Sequence, residues 1–311
     1  MDEFESKLFS ITVSSSNKDF FDTKTLLEMQ MQKADEYAKN PTGLRGLPTG
    51  VSSMDKFLGG LHRSDLIILA ARPAVGKSAL AFDMARHIAV SGKTSAVFSL
   101  EMPAIQVIER MLAQQSRINL WELRMGNIKD TDFARLNTAQ DELSKSKIFI
   151  DETPGINIMQ LRSKARKLMI EEGLDIIIID YLQLMQGHSR SDNRAQEVGE
   201  ISRSLKILAR ELNVPIIALS QLNRAVENRE GGQPQLSDLR ESGSIEQDAD
   251  LVLFLARDST TEEVDPNNID YNKKIKVDLY IAKHRNGPVG KVKLMFHPSH
   301  MKYLDYEGAE D

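Results

Sequence analysis

Cysteine is absent from all 311 residues, which excludes disulfides, thiol nucleophiles and cysteine-ligated zinc. Tryptophan occurs once, and no apolar run approaches the roughly 20 residues that cross a bilayer. The segment Met1-Asp2-Glu3-Phe4-Glu5 is acidic and lacks the positive-then-apolar plan of a secretory signal. A surplus of positive charge is missing as well. A formal net charge of −5 does not suit binding nucleic acid over the whole surface, so any such contact is confined to a groove or a ring. With 41% hydrophobic and 27% charged residues, the expectation is a folded, cytoplasmic protein with no membrane association.

What is present is decisive for the chemistry. Ala71 to Ser78 read A-R-P-A-V-G-K-S, directly after the apolar run Leu66–Ala70. This is the strand, loop and helix start of a nucleotide-phosphate cradle, in which backbone N–H groups of Ala71, Arg72, Pro73, Ala74, Val75 and Gly76 and their neighbours surround the phosphates at a helix N-terminus (proline contributing shape, not a donor). Gly76 permits close backbone approach, Lys77 reaches the β- and γ-phosphates, and the Ser78 hydroxyl holds Mg²⁺. ATP and Mg²⁺ are therefore the expected cofactors. The first glycine of the usual G-x-x-x-x-G-K-[ST] pattern is replaced by Ala71.

From Leu47 onward strands and helices alternate. Strands are predicted at Leu66–Ala70, Thr94–Leu100, Lys147–Ile150, Ile176–Ile179, Val214–Leu219 and Leu251–Leu255, with helices at Lys77–Ser91, Pro103–Arg117, Thr131–Ser146, Ile158–Glu172 and Arg194–Leu212. Continuous Ile/Val/Leu runs predict an α/β fold with a mostly parallel twisted sheet flanked by helices. Lys274–Lys283, a turn at Asn286-Gly287-Pro288, and Gly290–Phe296 predict a C-terminal β-hairpin. Before this domain, Lys24 to Lys39 is a predicted helix with Leu27, Met31, Ala34 and Ala38 on one stripe. Periodicity alone favours packing of that stripe on its own domain. The expected division is a linker region 1–46, an ATPase domain 47–306 and an acidic tail 307–311. His297 and His300 flank Pro298 and are expected as surface residues.

In open α/β sheets ligands bind beyond the carboxyl ends of the strands. Glu101, Asp180 and Ser220-Gln221 end three of the predicted strands, on the same side as the phosphate loop. Asp180, after four isoleucines, suits the second Mg²⁺ position. Glu101 is placed to orient or deprotonate the attacking water; the competing reading is a capping role beside Pro103. The Gln221 amide suits a contact to the γ-phosphate or water. The long polar loop from Asn223 leads to Arg240, Glu241 and Gly243, which suit either a nucleic-acid phosphate or an ordinary capped turn. Lys283 and Arg285 leave one face of a hairpin strand, as an arginine finger would, or as part of a solvated basic face.

Six segments together carry a resemblance: A-R-P-A-V-G-K-S; F-S-L-E-M at Phe98–Met102; D-Y-L-Q-L-M at Asp180–Met185; S-Q-L-N-R at Ser220–Arg224; L-R-E-S-G-S-I-E-Q-D-A-D at Leu239–Asp250; and A-K-H-R-N-G-P-V-G at Ala282–Gly290. In this order, over about Pro48 to Leu304, they resemble the RecA-like motor domain of the DnaB-type replicative DNA helicases of bacteria and phages, in which alanine at the first loop position is usual. The resemblance implies a homo-hexameric ring that hydrolyses ATP between subunits and moves 5′ to 3′ on single-stranded DNA, unwinding forked DNA. It implies nucleotide and metal binding by Lys77, Ser78 and Asp180, catalysis by Glu101, coupling by Gln221, and action of Lys283 and Arg285 on the next subunit's γ-phosphate. Arg240, Glu241 and Gly243 then lie on the DNA-holding loop, and the Lys24–Lys39 helix docks on the adjacent subunit instead of its own domain. Family members carry a helical N-terminal domain that contacts primase; this chain is expected to begin near its end, with primase and loader contacts belonging to the longer form. Two other readings remain at this stage, a RecA-like strand-exchange protein and a nucleotide-gated scaffold.

Overall fold

The structure, a computed structural model, describes residues 22–38, 43–187, 194–224, 226, 233–239, 243–258 and 273–306. The chain divides into two compact units, Met1–Leu44 and Arg45–Asp311. In the first, α1 (Thr23–Ala38) is started by Asp22, whose carboxylate accepts the Thr25 N–H at 2.9 Å and its hydroxyl at 2.5 Å. Leu26, Leu27, Met29 and Met31 of this helix are exposed.

The second unit is built on nine strands among the described residues, in the order β3-β2-β4-β5-β1-β6-β7-β8-β9. Strands β1 (Leu66–Ala71), β2 (Thr94–Ser99), β3 (Lys147–Asp151), β4 (Ile176–Asp180), β5 (Ile216–Gln221) and β6 (Leu251–Arg257) are parallel. β7 (Ile275–His284), β8 (Gly290–His297) and β9 (Lys302–Asp305) extend the sheet antiparallel. The helices are α2 (Ser52–Leu58), α3 (Lys77–Val90), α4 (Ala104–Ser116), α5 (Leu120–Met125), α6 (Phe133–Lys145), α7 (Ile158–Glu171), α8 (Arg194–Leu212) and the short α9 (Gly243–Asp248).

The period of two in a strand divides the core. In β1, Ile67, Leu69 and Ala71 pack with α3, whereas Leu66, Ile68 and Ala70 pack with α7 and α8; Ile176 and Ile178 of β4 part from Ile177 and Ile179 in the same way. This is why these runs are continuous rather than alternating: both faces are covered, and each fully buried leucine or isoleucine contributes about 1.5–3 kcal/mol. β3 differs, because it pairs only with β2 and forms the edge; its side chains are half-exposed.

Several boundaries shift from expectation. β5 starts at Ile216, not Val214, because the Val214 N–H closes the end of α8 on the Ala209 carbonyl at 3.2 Å and Pro215 has no N–H to give. β2 stops at Ser99, and α6 begins at Phe133 after a single 3₁₀ turn at Asp130–Asp132. α2, α5 and β9 were not foreseen. The expectation of surface histidines is corrected too. His297 and His300 stack at 5.9 Å between ring centroids and are half-buried, and burial holds both imidazoles below the usual pKa.

Candidate nucleotide-binding site

Between β1 and α3 the chain turns through Ala74 at φ 64° and Gly76 at φ 104°. Positive φ is the natural range of glycine and a sparsely populated one for alanine. The first turn of α3 follows at Lys77, with Leu80 N–H donating to Gly76 O at 3.0 Å, so the N–H groups ahead of it are left for an anion.

Strand register brings the other predicted residues to this edge. Ala71 is level with Gln221 on β5, and Ser99 with Asp180 on β4. The Leu100 N–H donates to Asp180 O at 2.8 Å, which fixes the turn that carries Glu101. The capping alternative for Glu101 does not hold: α4 is preceded by Pro103 with no side-chain cap, and its Ala104 N–H is taken by the Glu152 carboxylate at 2.5 Å. Ala71, Arg72, Pro73, Ala74, Gly76, Lys77, Ser78, Glu101 and Gln221 line one cleft of about 420 Å³. Val75 faces the core instead, and Asp180 forms the buried floor.

The electrostatics of the floor are those of a cation site. Asp180 is fully buried, and neither carboxylate oxygen has a hydrogen-bond partner of normal geometry. Burial pushes its pKa up, opposed by Lys77, the Ser78 hydroxyl and Arg110. Lys77 Nζ stands 4.0 Å from Asp180 Oδ1 and 4.8 Å from the centre of the Tyr181 ring; burial lowers its pKa, against Asp180 and Glu101. A buried carboxylate with two unsatisfied oxygens beside a serine hydroxyl fits a hard divalent cation that takes its other ligands from phosphate and water. No self-sufficient cluster of three or more His, Asp or Glu occurs among the described residues, as expected for a metal that arrives with a nucleotide.

Arg110 was not foreseen. It lies on α4, lines the same cleft, and is held below its usual pKa by burial and by Arg124, while Asp180, Glu101 and Glu109 oppose that shift; its Nε has no partner. The signal was present: Val107, Met111 and Gln114 form the buried stripe of α4, and an arginine beside that stripe points inward. Phe296 and Met301 complete the cleft from β8 and the turn before β9.

Two predicted residues stand elsewhere. Val252 pairs with Lys283, and the Arg285 N–H donates to Asp250 O, so both lie at the amino ends of the parallel strands, opposite the cleft. Nor are they a solvated face. Lys283 Nζ donates to Glu246 O at 2.5 Å, and Arg285 donates to Gln247 O at 2.6 Å and Asp250 Oδ1 at 3.2 Å. Arg240 and Glu241 lie outside the described residues, and Gly243 opens α9.

A phosphate loop at the carboxyl edge of this strand order, with a buried aspartate and a carboxylate at neighbouring strand ends, defines a RecA-like nucleoside triphosphatase. The profile of the DnaB-like helicase C terminal domain matches residues 46–305. The chain is 45% identical to the replicative DNA helicase DnaC of Bacillus subtilis (strain 168) over 314 residues, covering 100% of this chain and 68% of that protein. It is likewise 45% identical to the replicative DNA helicase DnaB of Geobacillus stearothermophilus, with the same coverage. Among solved structures, a DnaB-like ATPase domain superposes with a TM-score of 0.82 at 35% identity, covering 92% of this chain and 100% of that one. A DnaB-like replicative helicase described with its primase interactions gives 0.80 at 34% identity, covering 99% and 72%. The chain belongs to the DnaB-like helicase family, the ATP-dependent helicases of DNA replication. That membership decides against the strand-exchange and scaffold readings.

Proposed function

We propose that residues 47–306 form the motor of a homo-hexameric ring that hydrolyses ATP between subunits and moves 5′ to 3′ along single-stranded DNA, opening forked DNA. The observation that carries this reading is the split of the machinery between the two edges of one sheet. Lys77, Ser78, Asp180, Glu101 and Gln221 gather at one edge, while Lys283 and Arg285 are held at the other. A second copy is then required to complete each site.

In this reading the loop N–H groups and Lys77 hold the β- and γ-phosphates, and Ser78 and Asp180 would hold Mg²⁺, which when bound neutralises phosphate charge. Glu101 accepts a proton from the attacking water, and Arg110 offsets charge that develops on the phosphoryl group. Gln221 touches the γ-phosphate and reports its loss to the polar loop that follows β5. Lys283 and Arg285 reach the neighbour's γ-phosphate. Arg240, Glu241 and the Gly243 N–H hold the DNA backbone. Residues 1–46 form a linker region whose α1 docks on an adjacent subunit, and 307–311 an acidic tail. Primase and a loader are contacts of a longer form, as the primase interactions of the related helicase support. The protein works in the cytoplasm; no described helix is long and apolar enough to cross a membrane.

The test is ATP hydrolysis against protein concentration, with and without single-stranded DNA. Specific activity is expected to rise steeply with concentration and with DNA, and Lys77→Ala to abolish it. Flat, DNA-indifferent turnover, or normal turnover by Lys77→Ala, would refute the assignment.

A further inference from the structure

Two carbonyl groups of the phosphate loop are gripped from outside the loop. The Arg257 guanidinium, at the end of β6, donates from Nη2 to Ala74 O at 3.2 Å. The Tyr303 hydroxyl, on β9, donates to Val75 O at 3.0 Å. In a planar trans peptide the C=O and the following N–H point in opposite directions. Drawing the Ala74 carbonyl toward Arg257 therefore turns the Val75 N–H the other way, and drawing the Val75 carbonyl toward Tyr303 does the same for the Gly76 N–H. Both consecutive donors are thus aimed away from the core and toward the cleft.

The loop needs such restraint, because Ala74 and Gly76 both sit at positive φ, an arrangement that persists only where the surroundings enforce it. Tyr303 is fitted for the task. It is 1% exposed, stacks on Phe296 with ring centroids 4.7 Å apart, and is tied at its own N–H to Asp83 at 3.3 Å. A Cβ on Gly76 would come within 2.4 Å of the Tyr303 hydroxyl oxygen, so the phenol occupies the space that a side chain there would need. Burial drives the phenol pKa far up, which keeps it a hydrogen-bond donor.

We infer that Tyr303 and Arg257 are positioning residues for the phosphate site: they touch no substrate but hold two loop carbonyls so that the Val75 and Gly76 N–H groups are preset for phosphate oxygens. The inference rests on the reading of the cleft as a nucleotide-phosphate site.

The test uses Tyr303→Phe, which keeps the ring and removes the hydroxyl, and the solvent-exposed Arg257→Gln. Binding of MgATP and of inorganic tripolyphosphate is measured on each, with the thermal midpoint of the nucleotide-free protein. Both dissociation constants are expected to rise by the same factor in a given variant, about three- to tenfold for Tyr303→Phe. KM for ATP rises accordingly while kcat changes less, and the nucleotide-free midpoint stays near that of the wild type. A loss confined to ATP, with tripolyphosphate unaffected, would overturn the inference, since only the phosphates meet the loop. If Tyr303→Phe does not fold, Arg257→Gln decides. A wild-type protein that binds neither probe overturns the phosphate-site reading as well; a wild type that binds both, matched by both variants, overturns this inference alone.

Discussion

Arg285→Ala, mixed with Lys77→Ala, probes the division of the machinery between subunits. Ala71 of β1 is level with Leu255 of β6, and Leu66 lies beside Asp250, whose carbonyl accepts the Arg285 N–H. Arg285 is therefore five residues down the sheet from Ala71, about 17 Å at roughly 3.3 Å per residue, and two strands across, about 10 Å. The separation of about 20 Å exceeds what one arginine side chain spans, so Arg285 cannot serve its own cleft. Its removal leaves Asp250 still paired with Lys206 and with the Leu66 N–H at 2.8 Å, so the fold is expected to survive. Hydrolysis by Arg285→Ala alone should fall about 10³-fold or more, the usual worth of such a finger, while ATP binding persists. In equimolar mixed rings, a cleft works when its Lys77 comes from one variant and its Arg285 from the other, which holds at about one interface in four for head-to-tail subunits. Recovery of up to about a quarter of wild-type turnover is expected in steady-state phosphate release, less if the ring fires in strict order. Mixed rings shown by cross-linking to contain both variants, yet no more active than the separate proteins, would refute action in trans. So would near-normal turnover by Arg285→Ala alone.

Two further outcomes follow from groups placed by the fold. Burial, then repulsion from Asp250, raises the Asp65 carboxyl from 3.8 to about 6, so its ionisation opposes folding by roughly 3 kcal/mol above pH 6, a contribution that disappears as pH falls toward 3.8. Asp65→Asn should therefore gain stability over the wild type at pH 8 and lose most of that advantage near pH 4.5 in urea unfolding; an equal difference at both values would contradict the assignment. Arg110→Ala should lower kcat by about 10- to 100-fold, with a smaller change in ATP affinity, in steady-state hydrolysis on saturating single-stranded DNA. Unchanged kcat would remove Arg110 from the site.

Much of the site was legible because its chemistry is local. A-R-P-A-V-G-K-S encodes a strand end, a turn and a helix start within eight residues. Asp180 after four isoleucines is likewise a strand end written in neighbouring residues. The contribution of Arg110 was harder to read, since it depends on which side of α4 meets the sheet. Tyr303 was not read at all. Its strand, β9, has four residues and no distinctive pattern, and its hydroxyl meets Val75 across 228 positions of chain. Lys283 and Arg285 were legible as two cations two residues apart. That they sit on the Glu246 and Gln247 carbonyls follows from the pairing of β7 with β6.

The sequence by itself determined the elements, the phosphate loop and the order of the strand-ending residues, because each depends on side chains a few positions apart and on short-range periodicity. Tertiary structure alone decided the level at which strand ends meet, the burial that leaves the Asp180 oxygens unsatisfied, and the separation of Arg285 from its own cleft. Those depend on strand register and desolvation, which are set only when segments distant in the chain pack against one another.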